Sequence, residues 1–338
     1  MNSCKSGDKE MDCLISVIIP VYNCKAFLER AVESVIRQGM FNRIEIILID
    51  DGSSDGSEKI CDNYAKSFEN IFVIHQKNSG VSSARNNGIK NAKGKWISFL
   101  DSDDYFFENF FEKMLANEAD LICCDYELNL NKNNLNFQKN FIERKDFCEY
   151  LFPVMADGTS FYTCWNKLYK KEIIRKNNLA FDTNKKYGED MMFVYNYIIH
   201  IEDFSFVAEP LYFYFQNENS ATQNIKNSFE IYKELYLWLC DYFKKINCSE
   251  EKIFDKLSEN FVKQSVSSLW NVSSEKDVKK IIDDSLFLQL NAQFPIKTFE
   301  SEYHEKLYSL VENKKYKGIV LFVKKYNLRS ALYKIIKK

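Results

Sequence analysis

Two hydrophobic rhythms alternate over the first hundred residues. Leu14–Val21 is a near-continuous β-branched run, the pattern of a strand buried on both faces, and Pro20 ends it because proline cannot donate to a ladder. Phe27, Leu28, Ala31, Val32, Val35 and Ile36 then recur at helical spacing, with Asn23 as the expected cap and Gly39 as the stop. Ile44–Ile49 reads as a second buried strand, followed by a helix to about Phe68 and a short strand over Ile71–Ile74. A polar turn, Gln76–Gly80, leads to a helix over Ser82–Ala92 and to the strand Trp96–Leu100. Strands and helices at these crossover lengths predict an α/β fold: a mostly parallel sheet with helices on both faces.

Farther on, Phe106–Ala116 reads as a helix and Asp120–Leu128 as a strand. The Asn/Lys-rich residues 129–145 read as a surface excursion. Tyr187–Phe193 is a turn feeding an apolar helix to about Ile201, and Phe204–Val207 and Leu211–Phe215 are two short strands separated by Pro210. From about Ser220 apolar residues keep three- and four-residue spacing almost to the end. The pattern therefore predicts a flexible N-terminus over 1–13, an α/β domain over 14–220 and a helical region over 221–338.

Composition narrows the function classes. The net charge of −2 argues against general nucleic-acid binding, and 46% apolar content excludes disorder. Ten cysteines scattered through apolar runs, without a metal-ligand spacing, suit a cytoplasmic, reducing compartment. The polar N-terminus lacks the apolar core of a secretion signal, and no run approaches the ~20 residues that span a bilayer.

The chemistry concentrates where strands end. Trp96–Leu100 runs into Asp101, Ser102, Asp103 and Asp104, and Ile44–Ile49 runs into Asp50 and Asp51. Like charges about 4 Å apart repel by roughly 4 kcal/mol at an effective dielectric near 20, so crowded carboxylates call for a positive partner. Helix capping explains one or two acids; a divalent metal gripping a phosphorylated ligand is the other reading, and the stretch by itself leaves both open. In a parallel sheet both acidic ends fall at the carboxyl rim, where ligands bind.

Five motifs then resemble one family. Ile15–Asn23, Asp50–Asp55, Asn78–Asn86, Phe99–Asp104 and Gly188–Asp190 occur in the order seen in family 2 glycosyltransferases, inverting enzymes of bacterial surface-polysaccharide synthesis. The resemblance covers about 14–215 and implies the GT-A fold, a Rossmann-like variant. It implies transfer of a sugar from a nucleotide donor, UDP-hexose or UDP-N-acetylhexosamine, to a glycan or lipid-linked acceptor, with Mn²⁺ or Mg²⁺ as cofactor. By the same resemblance Asp103 holds the metal, Asp101 joins it at the metal, close to the metal-bound water or ribose, with Ser102 beside it, and Asp51 reads the base. Pro20, Val21, Tyr22 and Asn23 line the nucleotide, Asp190 is the general base and Glu189 orients it or the acceptor. An isolated Asp190 would read as a helix cap.

Other readings stay open at this level. Arg85 steadies base or phosphate, or makes a surface salt bridge; Lys167 meets the donor phosphate or acceptor, or is a solvated charge. Asp104 alone reads as a helix start. Gln216 stands where relatives often carry an Arg. The tail 314–338 holds nine Lys/Arg and no acid, and reads either as attachment to an anionic membrane surface at the inner face or as a packed helix with a solvated lysine face. A non-catalytic nucleotide-sugar-binding protein is the rival function. A metal-dependent phosphatase of the Asp-x-Asp type is disfavoured by the bulky Tyr105 and Phe106 that follow.

Overall fold

The computed structural model describes residues 13–128, 131–133, 137–156, 160–215, 228–248, 251–297 and 302–336. They form two compact units, one built from the chain up to Leu151 and from Ser160 to Asn217, the other from Phe152–Thr159 and the chain after Glu218. The chain thus enters the second unit twice, through a short segment at 152–159 as well as through the C-terminal third.

The first unit opens with β1 (Ile15–Val21), α1 (Lys25–Ile36), β2 (Ile44–Asp50), α2 (Ser57–Ser67), β3 (Ile71–His75), α3 (Val81–Asn91) and β4 (Trp96–Phe99). These four strands pair in parallel in the order β3-β2-β1-β4. Alternation across β1 sends Val17 and Ile19 to the face covered by Leu28, Val32 and Cys61 of α1 and α2. Ile18 faces the other way, toward Gly88 of α3, where an added Cβ would come within 2.3 Å of Ile18 Cγ2. Helices therefore cover both faces.

After β4 the order differs from the sequence expectation. Tyr105–Phe106 is a two-residue strand, β5, and the helix α4 covers only Phe110–Leu115, entered through Asn109 in the left-handed region. Burial of Asp104 and the pairing of Tyr105 and Phe106 with Phe213 and Tyr212 hold this stretch extended. β6 (Leu121–Leu128) follows, then β7 (Asn131–Asn133) and β8 (Phe141–Glu143), so part of the expected surface excursion is paired strand. Next come α5 (Phe147–Tyr150), α6 (Phe152–Ala156, in the second unit), β9 (Lys167–Lys170), α7 (Lys171–Lys176), α8 (Glu189–Ile198) and β10 (Asp203–Tyr214). Pro210 does not split β10 in two; the strand absorbs it as a register shift against β6, the irregularity at which a sheet tolerates proline. The mixed sheet continues β4-β9-β6-β10-β5, its longer pairings parallel.

The second unit packs α6, α9 (Ser228–Lys245), α10 (Glu251–Ser268), α11 (Glu275–Ile282), α12 (Ser285–Gln293), α13 (Glu302–Glu312) and α14 (Tyr316–Ile336). Phe261, Val262, Val278, Ile282, Leu307 and Ile319 lie in its core. Ser274 and Asp277 form a reciprocal capping box that starts α11. In the basic tail Ile319, Val320 and Val323 are buried while Lys317, Lys324 and Lys325 are exposed, as a packed last helix requires. Residues 1–12, Gln216 and the last two lysines lie outside the described residues.

Candidate functional site

Three segments far apart in sequence converge on one guanidinium. Arg85 of α3 donates from Nη2 to Asp101 Oδ1 at 2.9 Å and from Nη1 to Asp190 Oδ1 at 2.5 Å, with Glu189 Oε1 at 3.7 Å. Its side chain is only 4% exposed, so the surface salt bridge considered above is replaced by a buried one. Aromatic packing fixes this meeting. Phe99, at the end of β4, lies edge-on to Phe193 of α8, and Phe193 stacks on Phe181 at 4.1 Å. Asp190 stands three residues before Phe193, so seating that ring carries Asp190 toward the β4 exit. Asn86 exchanges hydrogen bonds with the backbone of Phe181, and the Arg85 guanidinium lies over the Phe181 ring at 5.3 Å.

Charge does not balance in this cluster. One guanidinium faces three carboxylates, and Asp103 and Asp104 add to the negative field. Burial raises Glu189 to about 7, and it raises Asp190 despite the opposing pull of Arg85. Asp103 is pushed up to about 6 by burial and by Asp101. Arg85 Nε is buried without an acceptor among the described residues.

The three acids after β4 separate into distinct jobs. Asp104 is fully buried, accepting from Tyr212 OH and from the Phe215 amide at 2.8 Å, so it ties the β4 exit to β10 and starts no helix. Burial and its acidic neighbours hold its carboxyl well above the usual range. Asp101 accepts from Arg85, and Asp103 is half-buried with its carbonyl taken by the Arg30 guanidinium. Arg30 in turn lies over the Tyr105 and Phe215 rings at 5.1 Å each.

Along the neighbouring rim, the exits of β1, β2 and β3 are stitched together. Pro20 and Val21 are buried within β1, while Tyr22 is 53% exposed. Asn23 does not cap α1, whose N-cap is Cys24 without a side-chain bond. It adopts φ 48° instead, donates its amide to Ser53 Oγ and accepts from the Ser54 amide at 2.9 Å. Asp51 accepts from the amides of Ser79 and Gly80 at 2.8 Å and from Gln76 Nε2, which holds the turn before α3 and leaves an acceptor position on Oδ2. Gly52 takes φ +78° with Asn78 N 3.1 Å from where a Cβ would sit, so the turn needs glycine twice over.

Lys167 does not join the rim. It is fully buried, its Nζ donating to Thr163 O at 2.8 Å and Asn166 Oδ1 at 2.9 Å, and burial lowers its pKa. Neither a donor contact nor a solvated charge describes it. Sequence reading also passed over Arg30, Phe181 and His75. His75 ends β3 directly beside Asp50, a placement that aligning the two parallel strand ends would have revealed.

Comparison with known proteins agrees with this architecture. The family model described as Glycosyl transferase family 2 matches residues 16–177. The putative glycosyltransferase EpsH of Bacillus subtilis (strain 168) is 32% identical over 70% of this chain and 71% of its own length. From the same organism, the uncharacterized glycosyltransferase EpsJ is 34% identical over 62% of this chain, and the match spans 63% of EpsJ. Staphylococcus aureus TarS 1–349, solved in complex with UDP-GlcNAc, superposes with a TM-score of 0.65 at 17% identity over 93% of this chain and 92% of that one. Its likeness speaks to the fold alone, which is GT-A-like with C-terminal helices. With the family model matching 16–177 and EpsH 32% identical over 71% of its own length, this chain belongs to the family 2 glycosyltransferases.

Proposed function

We propose that the chain transfers a sugar from a UDP-linked donor to a glycan or lipid-linked acceptor, with inversion, in surface-polymer synthesis. The observation that carries this is the convergence of Asp101, Glu189 and Asp190 on Arg85, because it joins an acidic strand exit to a carboxylate suited to proton removal. TarS binds UDP-GlcNAc, and another relative is named the minor teichoic acid biosynthesis protein GgaB. Both support the donor and acceptor classes.

In this reading Asp190 takes the proton of the acceptor hydroxyl as that oxygen attacks the anomeric carbon. Its raised pKa brings a carboxylate closer to the basicity that proton abstraction at neutral pH requires, and Arg85 fixes its direction. Glu189 orients the acceptor. Asp51 reads the base edge through its remaining acceptor position, and the Pro20–Asn23 segment lines the nucleotide. The negative surplus around Arg85 and the hard oxygens of Asp103 fit Mn²⁺ or Mg²⁺, which would stabilise the departing diphosphate. Among the described residues no three Asp, Glu, His or Cys side chains meet to hold an ion by themselves, so the donor's phosphates and water belong to the ligand set. Asp103 is its protein member; Asp101, already bound to Arg85, acts through the field rather than as a full ligand.

No helix among the described residues is long and apolar enough to cross a membrane. Since α14 buries Ile319, Val320 and Val323, attachment to an anionic surface would rest on exposed lysines, and liposome flotation with 314–338 deleted tests it.

The deciding experiment is release of nucleoside diphosphate from UDP-, GDP- and TDP-sugars with Mn²⁺ and with EDTA. Asp190→Asn should lower the rate by roughly 10²–10⁴-fold while UDP still binds. Unchanged turnover in Asp190→Asn removes the base assignment. UDP binding with no turnover of any donor would leave a binding module.

A further inference from the structure

His75 closes a charge bridge that the transfer chemistry does not use. It is the last residue of β3, paired in register with Asp50 at the end of β2. Its Nδ1 lies 2.8 Å from Asp50 Oδ2 and its Nε2 lies 3.1 Å from Asp62 Oδ1 on α2. A neutral imidazole has one N–H and can donate to only one of these oxygens. The imidazolium donates to both.

What Asp50 does with its other oxygen makes the bridge matter. Asp50 Oδ1 accepts from the Ser53 amide at 3.0 Å, Ser53 Oγ accepts from the Asn23 amide at 3.1 Å, and Asn23 Oδ1 accepts from the Ser54 amide. A change in the orientation of Asp50 is therefore passed to the segment that lines the nucleotide and to the turn carrying Asp51. We propose that His75 is a positioning residue: in its doubly protonated form it clamps Asp50 to Asp62 and so holds the 50–55 turn in its nucleotide-binding shape. This rests on the reading of Asp51 and Pro20–Asn23 as the nucleotide edge.

Asp50 from β2 and Asp62 from α2 are the titratable groups that face the ring. The Cys61 thiol, beside Asp50, is kept protonated by burial. The Asp50 bond raises the His75 pKa, with Asp62 adding to it against the effect of burial. A raised histidine pKa means the clamp is complete below the ordinary value near 6.5 and is lost as pH rises through the folded-state value. The ring is 48% exposed, so proton exchange with solvent is open.

The test uses the full chain with UDP as probe. Affinity is measured by calorimetry from pH 6 to 9 for the wild type and His75→Gln, and the ratio of the two cancels titration of UDP itself. His75→Gln should bind UDP roughly three- to tenfold more weakly at pH 6 and about equally at pH 9. Of the three histidine resonances, the one lost in His75→Gln should titrate above the ordinary value and fall in Asp62→Asn. A ratio that stays flat with pH, or a His75 resonance at or below the ordinary value, overturns the proposal. Should the wild type bind no UDP at any pH, the nucleotide reading fails. The clamp is then decided by the Ser53 amide, whose hydrogen exchange must quicken in His75→Gln; unchanged exchange overturns it.

Discussion

Arg85 is the residue on which the site depends most, because its loss leaves three partly buried carboxylates facing one another. Removing one partner of a buried ion pair costs about 3–5 kcal/mol, since the remaining charge has neither water nor counterion. Arg85→Gln should therefore lower the unfolding free energy by that amount, seen as a lower urea midpoint at an unchanged m-value, and Arg85→Lys should recover only part because an ammonium cannot fork to Asp101 and Asp190 together. Asp103→Asn is expected to act differently, sparing stability and weakening metal capture. The check is the free Mn²⁺ signal in electron paramagnetic resonance with UDP present, and an unchanged binding curve would remove Asp103 from the ligand set. Asp103 and Asp190 could be picked out from their motifs. The Arg85 linkage could not, because α3 and α8 are about a hundred residues apart and the Phe99–Phe181–Phe193 packing and the Asn86–Phe181 bonds that bring them together belong to neither motif's pattern. Lys167 misled for a related reason: a lysine in a polar-looking motif gives no sign that Asn166 and the Thr163 carbonyl will satisfy it indoors.

At the level of elements, β1–β4 were legible because buried parallel strands are written as unbroken apolar runs. The stretch from Asp104 to Leu115 was not. Phe106, Phe107, Phe110 and Phe111 satisfy helical spacing, yet Phe106 is taken, with Tyr105, by a sheet edge whose partner, Tyr212–Phe213, lies about a hundred residues later. The same limit applies to β10, where strand continuity through Pro210 depends on β6. Helix α3 offers a sharp test of how elements carry the site. Its Gly88 touches Ile18 of β1 so closely that a methyl group would need displacement of a buried side chain. Ala is the better helix former by about 1 kcal/mol, but overpacking a core costs typically 1–3 kcal/mol. Gly88→Ala should thus be net destabilising in urea, and it should lower donor turnover further than stability alone explains, since Arg85 rides on the same helix one turn earlier. Turnover falling only in line with the folded fraction would separate α3 packing from the chemistry.

At the scale of the whole molecule, the break in pattern near Ser220 announced a helical region, but the second unit also owns a piece of chain from the middle of the first. Phe152 and Met155 of α6 are buried, and the Phe152 ring lies 5.5 Å from that of Phe243 in α9. Nothing in the short apolar stretch around Phe152 tells which partner it will find, so a contiguous boundary was the natural reading of the sequence. The consequence for dissection is specific. A chain ending at Asn217 keeps every motif and every described strand, yet it removes α9 and α10 and leaves the apolar side chains of α6 facing water. Burying a Phe side chain is worth about 1.5–3 kcal/mol, and exposed groups of this kind favour association over a monomeric fold. The truncated chain should bind 8-anilinonaphthalene-1-sulfonate strongly and elute as aggregates. Changing Phe152 and Met155 to Ser in the truncation should restore a monomer, because no partner is left for them to lose. A wild-type truncation that stays monomeric and dark to the dye would mean that α6 needs no helical partner, and that the first unit is independent as a contiguous piece.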